Sequence, residues 1–466
     1  MIPAAPTTWI TSCLLVALTG LVALTEWGAA WPRALVPAVV LAIVALLALR
    51  VRPSRKAFVA VGALLTLWLV RSDPDWQAVA LRGCYSAGFI GAFFTALSTL
   101  RNVAETSPAI GKAGRFLAGQ PPGRRYAALT LGGQLFALLL NYGVIPLLGS
   151  LASTSAAAEP DPVIRDHRRR RMLLAIQRGF IASLTWSPLA FAMAITTAVV
   201  PGASWSAAVA PGLGSAAILA GTGWALDTIF KPRVTVQRRA ENGGGGSWWA
   251  ISPLLVLLAL FGITVGGLHE LTGIRIVGVV MVVVPVIAAL WAAIQHAGSG
   301  LELSPARRLR DYLVQDLAGY RGEITLLMMA GYIGTVGAPL LVPLVARSGL
   351  DPALLPGWAV LVVLVWIVPL LGQLGMNPIL AVTLIAPLIP GAEALGVTPA
   401  AIVTAIAAGW AMSGATSPFT ATTLLIGSFG HVSAPHVGLR WNGGYLLVAG
   451  ALLTGWVLLY GFVLGA

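Results

Sequence analysis

Apolar runs long enough to cross a bilayer, roughly 20 residues each, recur along the chain between short polar stretches. They fall near 9–30, 33–50, 57–71, 77–100, 172–200, 206–230, 248–268, 274–297, 323–346, 398–430 and 441–465. This pattern predicts an all-α polytopic membrane protein with about 11 transmembrane helices. Two more apolar segments, 126–150 and 357–390, are interrupted at their centres by "LLLNYGVIP" and "LGQLGMNPIL". The stretch 301–322 is charged but carries Leu at helical spacing, which suits an interfacial amphipathic helix on the cytoplasmic face. "RRAENGGGGS" (238–247) reads as a flexible hydrophilic linker.

Charge turns this pattern into a topology. Arg50, Arg52, Arg55 and Lys56 place one loop in the cytoplasm, as do Arg101, Lys112, Arg115, Arg124 and Arg125 for the loop before 126. Asp73 and Asp75 then lie outside, and the N-terminus is cytoplasmic. The segment 126–150 is followed by Arg165 and Arg168 to Arg171, so both of its ends are cytoplasmic and it is expected to be a re-entrant hairpin. Lys231, Arg233, Arg238 and Arg239 place the linker inside. No Lys or Arg occurs between Ser348 and Leu439. The ends of 357–390, flanked by Asp351 and Glu393, are therefore both outside, and a second hairpin enters from the opposite face. The last span ends outside.

Composition agrees. The chain is 58% hydrophobic and 10% charged, with a mean hydropathy of +0.87, whereas soluble domains carry about 25% charged residues. The net charge of +13 belongs to the cytoplasmic loops and implies no nucleic-acid partner. Cys13 and Cys84 suggest neither a disulfide framework nor a Cys metal site. His431 and His436 fall in a loop with no metal-ligand spacing. The first apolar segment lacks a basic leader region and reads as a retained helix.

The two halves match. Each has a hairpin with Asn at its tip, a helix broken at Ser-Pro, and a final span. Asn141 precedes Pro188 by 47 residues and Asn377 precedes Pro418 by 41. The expected organisation is 1–76 as peripheral helices, 77–230 as a first inverted repeat, 231–247 as a cytoplasmic linker, 248–322 as scaffold helices with the interfacial helix, and 323–466 as the second repeat. Inverted repeats with discontinuous helices at mid-membrane are the architecture of secondary transporters.

Unpaired backbone is tolerated at membrane depth only within protein or a watery cavity, so the four breaks should converge on one site. Half-helix N-termini there can face an anion and unwound carbonyls can hold Na⁺. Hydroxyl and amide groups serve either ligand. None of the breaks contains Asp, Glu, Lys, Arg or His. Glu26, Glu105, Asp227, Glu323 and Glu393 fall at span ends, which disfavours a carboxylate proton relay. An embedded enzyme would need such groups, and an ATP-driven pump would need a phosphate-binding Gly-Lys loop. Hairpins from opposite faces suit alternating access better than a channel.

The pattern over 77–230 and 323–466 resembles the ion transporter superfamily, which includes the divalent anion/sodium symporters, and more distantly the large membrane subunits of tripartite carboxylate transporters. The symporters carry Ser-Asn-Thr at each hairpin tip. Here those positions read Leu140-Asn141-Tyr142 and Met376-Asn377-Pro378, so Asn is kept and the flanking hydroxyls are not. The broken helices read Thr185-Trp186-Ser187-Pro188 and Thr416-Ser417-Pro418. The resemblance implies a dimerising scaffold, a transport domain moving as an elevator, and Na⁺ sites that each pair a tip with a break, with substrate between the tips. On that pattern the substrate-binding candidates are Asn141, Tyr142, Thr185, Ser187, Asn377, Thr416 and Ser417. The ion-binding candidates are Asn141, Gly143, Ser187, Pro188, Asn377, Ser413 and Ser417, with Gln373 near a tip. Tyr142 and Trp186 make the site more aromatic and favour a larger or less polar ligand.

The expected function is secondary active transport of a small anion, a carboxylate, coupled to Na⁺. A proton-coupled or efflux transporter of the same fold is the alternative. The expected partners are the bilayer, the anion and a second copy of the chain, in a bacterial inner membrane. Neither a cofactor nor a metal other than Na⁺ is expected.

Overall fold

The computed structural model describes residues 6–230, 247–299, 305–349 and 352–465. The linker at 231–247, apart from Ser247, lies outside the described residues, as do 301–304 of the interfacial stretch.

Among the described residues there are helices and no strand. In chain order they are α1 (Pro6–Glu26), α2 (Pro32–Ala48), α3 (Pro53–Ser72), α4 (Trp76–Glu105), α5 (Pro108–Ala118), α6 (Pro122–Leu140), α7 (Val144–Ala157), α8 (Pro162–Ser183), α9 (Phe191–Val199) and α10 (Trp205–Ile229). Then come α11 (Ser252–Thr272), α12 (Ile276–Ser299), α13 (Pro305–Asp311), α14 (Leu317–Gly319), α15 (Arg321–Arg347), α16 (Gly357–Gln373), α17 (Pro378–Ile385), α18 (Pro399–Thr416), α19 (Ala421–Gly430) and α20 (Gly443–Leu459). Among the described residues, ten helical stretches are long and apolar enough to cross a membrane. This is an integral, multi-pass membrane protein. Proline opens α2, α3, α5, α6, α8 and α18, where its fixed φ suits the first turn and its missing N–H costs nothing.

The chain divides into two compact units. The first comprises residues 1–103, 261–352 and 379–389, and so holds α1 to α4, most of α11, α12 to α15, and α17. Small residues let its helices approach. Gly62 of α3 faces Met329 and Tyr332 of α15, and Thr66 shares a hydrogen bond of 2.7 Å with the Tyr332 hydroxyl. Gly334 of α15 receives Thr383 of α17. Glu26 takes a bidentate ion pair from Arg275. The interfacial stretch is α13, a widened π-type turn over Tyr312–Asp316, and α14. Tyr312 Oη lies 2.6 Å from Ser98 Oγ, and Ser12 Oγ donates to the Leu313 carbonyl.

The second unit comprises 104–260, 353–378 and 390–466. Its interior is built on α8 and α18, which are buried from Met172 to Ser183 and from Ala400 to Thr416. Gly179 of α8 presses on the Thr130 backbone of α6, and Gly409 of α18 on the carbonyls of Leu364 and Val365 of α16. Such backbone contacts need small residues, the usual means of association in lipid. Two details differ from the hydropathy reading. The polar stretch before 126 is not simply a loop, because Ile110, Ala113, Gly114, Leu117 and Ala118 form the buried side of α5. The helix expected at 172 starts at Pro162, with Asp161 Oδ1 accepting from the N–H groups of Val163 and Ile164. Arg165 to Arg171 therefore belong to its first turns. Both differences arise because amphipathic and basic helix turns lower mean hydropathy without ending a helix.

Candidate functional site

All the residues expected at the site lie in the second unit. The break after α18 runs from Ser417 to Thr420. Proline at 418 has no N–H for the Gly414 carbonyl, which in a continuous helix would accept from it. Thr422 Oγ1 donates to that carbonyl instead. The Ala415 carbonyl accepts from Gln177 Nε2 and Asn442 Nδ2, each at 3.3 Å. The Ser417 carbonyl accepts from Thr423 Oγ1 at 2.5 Å and Thr420 Oγ1 at 3.0 Å. Thr416 Oγ1 donates back to Met412. Three of the six hydroxyls in "SGATSPFTATT", those of Thr420, Thr422 and Thr423, thus satisfy backbone that the break itself frees.

The break after α8 has the same construction. Ser183-x-x-x-Ser187-Pro188 and Ser413-x-x-x-Ser417-Pro418 share one spacing. In each, the second Ser N–H bonds the first Ser carbonyl at 2.9 Å. In each, that Ser Oγ accepts from the N–H two residues on, from Leu189 at 3.2 Å and from Phe419 at 3.3 Å. The first serines differ. Ser183 Oγ donates to the Phe180 carbonyl at 2.6 Å. Ser413 Oγ is fully buried and has no hydrogen-bond partner among the described residues. It lies against Gly372, near the end of α16. Ser417 Oγ donates to the Gly372 carbonyl at 2.6 Å, and Gly375, at φ +90°, faces the Phe419 ring. The second break and the turn after α16 are therefore in direct contact.

Thr185 Oγ1 bonds the carbonyls of Ala182 and Gly212, which fixes the first break to α10. Trp205 Nε1 donates to the Trp186 carbonyl. Pro188 is half-buried. The two breaks approach each other where Gly414 packs on Ile181 and Leu184.

Asn141, Tyr142 and Gly143 form a single 3₁₀ turn between α6 and α7. Gly114 of α5 is close to Phe136 on one side of this turn and to Leu148 and Leu151 on the other. In an unbroken helix Phe136 and Leu148 would be about 18 Å apart, so the chain doubles back here. Asn141 has φ +51° and ψ −137°, and its Oδ1 accepts from the Tyr142 N–H at 2.9 Å. No hydrogen bond joins Asn141 to Thr185 or Ser187. Asn377 is half-buried in the turn before α17.

Hydropathy missed the most polar cluster of this unit. Gln177 and Arg178 lie within the buried part of α8 and are 0% and 5% exposed. Arg178 Nε and Nη2 donate to Asn442 Oδ1 at 3.3 and 3.2 Å, and Nη1 donates to the Tyr126 hydroxyl at 3.0 Å. Its guanidinium lies over the Tyr445 ring at 4.2 Å. Asn442, fully buried before α20, donates to Gln177 Oε1 and to the carbonyls of Ala415 and Val437. The adjacent Gln-Arg within "MLLAIQRGFIAS" was the available signal.

The sequence matches no family model and no curated protein. The fold is similar to that of the YdaH transporter of Alcanivorax borkumensis, whose crystal structure has an unusual topology. The TM-score is 0.59 at 16% identity, over 88% of this chain and 99% of that one. It is also similar to MtrF of Neisseria gonorrhoeae, which illuminates a class of antimetabolite efflux pumps. There the TM-score is 0.51 at 14% identity, over 89% and 96% of the two chains. The chain shares its fold with these two proteins. Both structures with which it is compared are transporters rather than enzymes, and at these identities the likeness is one of fold.

Proposed function

We propose that the protein is a secondary active transporter that carries a small carboxylate anion by alternating access and couples its movement to Na⁺. The observation that carries this reading is Ser413 Oγ, a buried hydroxyl left without a partner at the meeting of a broken helix and the turn after α16. Native structures pair nearly all such groups, so an orphan at the expected ion position supports an ion ligand there. The lack of acidic side chains in the breaks favours Na⁺ over a proton relay. The matching Ser-x-x-x-Ser-Pro breaks favour an inverted repeat, and the twin Asn turns favour kinship with the ion transporter superfamily. In this reading 126–150 and 357–390 are re-entrant hairpins, and Asn141, Tyr142, Gly143, Thr185, Ser187, Pro188, Asn377, Thr416 and Ser417 complete the site. A transport domain moves as an elevator against a scaffold through which two copies dimerise in a bacterial inner membrane. The N-terminus faces the cytoplasm and the C-terminus lies outside.

Efflux is the second reading, favoured by the fold shared with MtrF and by aromatic Tyr142 and Trp186. One experiment tests both. The melting temperature of the purified protein is followed with a panel of anions, in Na⁺ and then in K⁺. A ligand that binds the folded state raises apparent stability as RT ln(1 + [L]/Kd). A Na⁺-dependent rise, enlarged by one anion, is the expected result. A response confined to pH or to hydrophobic compounds would replace this reading with proton coupling or efflux.

A further inference from the structure

Arg178 is a buried cation without a counter-ion. Among the described residues no carboxylate pairs with it. The nearby acid on α10, Asp227, is engaged by Arg171 through bonds of 2.7 and 2.6 Å. Three of the guanidinium's five N–H groups have acceptors, and all of those acceptors are neutral. The two left over are one on Nη1 and one on Nη2, the edge that takes a carboxylate in two parallel bonds. A charge that is 5% exposed is costly unless it is paired.

The surroundings hold the guanidinium in place. Tyr445 covers one face, Asn442 and Tyr126 hold two edges, and Gly223 of α10 lies where any side chain would meet Tyr126 Oη and Arg178 Cδ. Tyr445 is itself fixed by donating its hydroxyl to the Leu219 carbonyl at 3.0 Å. Asn442 connects Arg178 directly to the Ala415 carbonyl at the second break. Arg171 lies two turns earlier on the same face of α8, about 10 Å along the helix.

We propose that Arg178 is the residue that receives the transported anion, and that the ligand is one presenting a planar carboxylate to the free Nη1 and Nη2 edge. This rests on the anion-transport reading and adds to it a specific countercharge. The bound carboxylate neutralises the buried Arg178 charge.

The test titrates acetate, benzoate and succinate, with acetamide and benzamide as neutral controls, against wild type, Arg178→Lys and Arg178→Met, reading the melting temperature in Na⁺. The expected result is a carboxylate-specific shift in wild type, at least tenfold weaker affinity in Arg178→Lys, which offers a point charge in place of a fork, and no shift in Arg178→Met. The Na⁺ shift persists in both variants. Equal carboxylate affinity in Arg178→Met would make Arg178 a structural tie and overturn the proposal. A second measurement needs no variant. Wild-type protein is treated with phenylglyoxal and the Arg178 peptide is followed by mass spectrometry. Modification that the effective carboxylate suppresses is expected. Modification unaffected by it, or none while transport runs, overturns the assignment. A wild type that answers to no carboxylate overturns the anion reading itself, whereas a carboxylate response independent of Arg178 removes only this residue.

Discussion

Ser417 donates its hydroxyl to the Gly372 carbonyl oxygen at 2.6 Å and so fastens the break at the end of α18 to the last turns of α16. The contact requires glycine at 372. A methyl group there would run into Ser413 Oγ and come within 3.2 Å of Ser417 Cβ. Gly372→Ala is expected to destabilise the protein by about 1–3 kcal/mol, as overpacking does, and to slow transport. Thermal unfolding checks the first effect and vesicle uptake the second. An unchanged melting temperature would show that the packing at Gly372 accommodates a methyl group.

Ser413 and Ser183 occupy equivalent places in the two Ser-Pro breaks but differ in hydrogen bonding. Ser413→Ala removes a buried unsatisfied group, whose desolvation costs about 1–3 kcal/mol. Its melting temperature without ligand is therefore expected to match or exceed wild type, while the Na⁺-induced shift disappears. Ser183→Ala breaks a bond to the Phe180 carbonyl, so it lowers the melting temperature and leaves the Na⁺ shift intact. A full Na⁺ response in Ser413→Ala would remove Ser413 from the ion site.

Asn141 has the positive φ that glycine adopts freely and alanine does not. Asn141→Gly therefore keeps the turn and loses the amide, whereas Asn141→Ala loses both. Both variants, and Asn377→Ala, are expected to insert in the membrane and to lose transport, with Asn141→Gly retaining the wild-type melting temperature. Transport at the wild-type rate in Asn141→Gly would mean that the amide serves the turn alone.

Asp227 is held by two bonds from Arg171, with the acid side chain 8% and the base 28% exposed. Asp227→Asn leaves a partly buried guanidinium unpaired. The expected loss is about 1–3 kcal/mol, between the values for exposed and fully buried pairs, and is read as a lower melting temperature. Stability equal to wild type would show that solvent already screens the pair.

Much of the architecture was legible in the chain. The apolar runs mark the helices, and "LLLNYGVIP" contains the turn where the structure doubles back. "SLTWSPLAF" and "SGATSPFTATT" contain the two interruptions, because proline withholds a donor wherever it stands. The helical character of 108–118 and of 162–171 was not legible from mean hydropathy. Ile110, Ala113 and Leu117 are spaced for one buried face, and Asp161 is a capping residue, but each signal is local and is diluted by neighbouring charge.

The sequence by itself determined that this is a polytopic helical membrane protein with paired breaks. Lipid offers backbone groups no alternative partner, so apolar length and proline position write the secondary structure almost directly. Only the tertiary structure decided which polar groups repair those breaks and which remain available. Thr422 and Thr423 repair the break, Ser413 remains without a partner, and Arg178 finds Asn442 264 residues away. Hydrogen-bond satisfaction is a property of pairs, and the pair of Arg178 and Asn442 joins segments that lie far apart in the chain and meet only when α8 and α20 pack together.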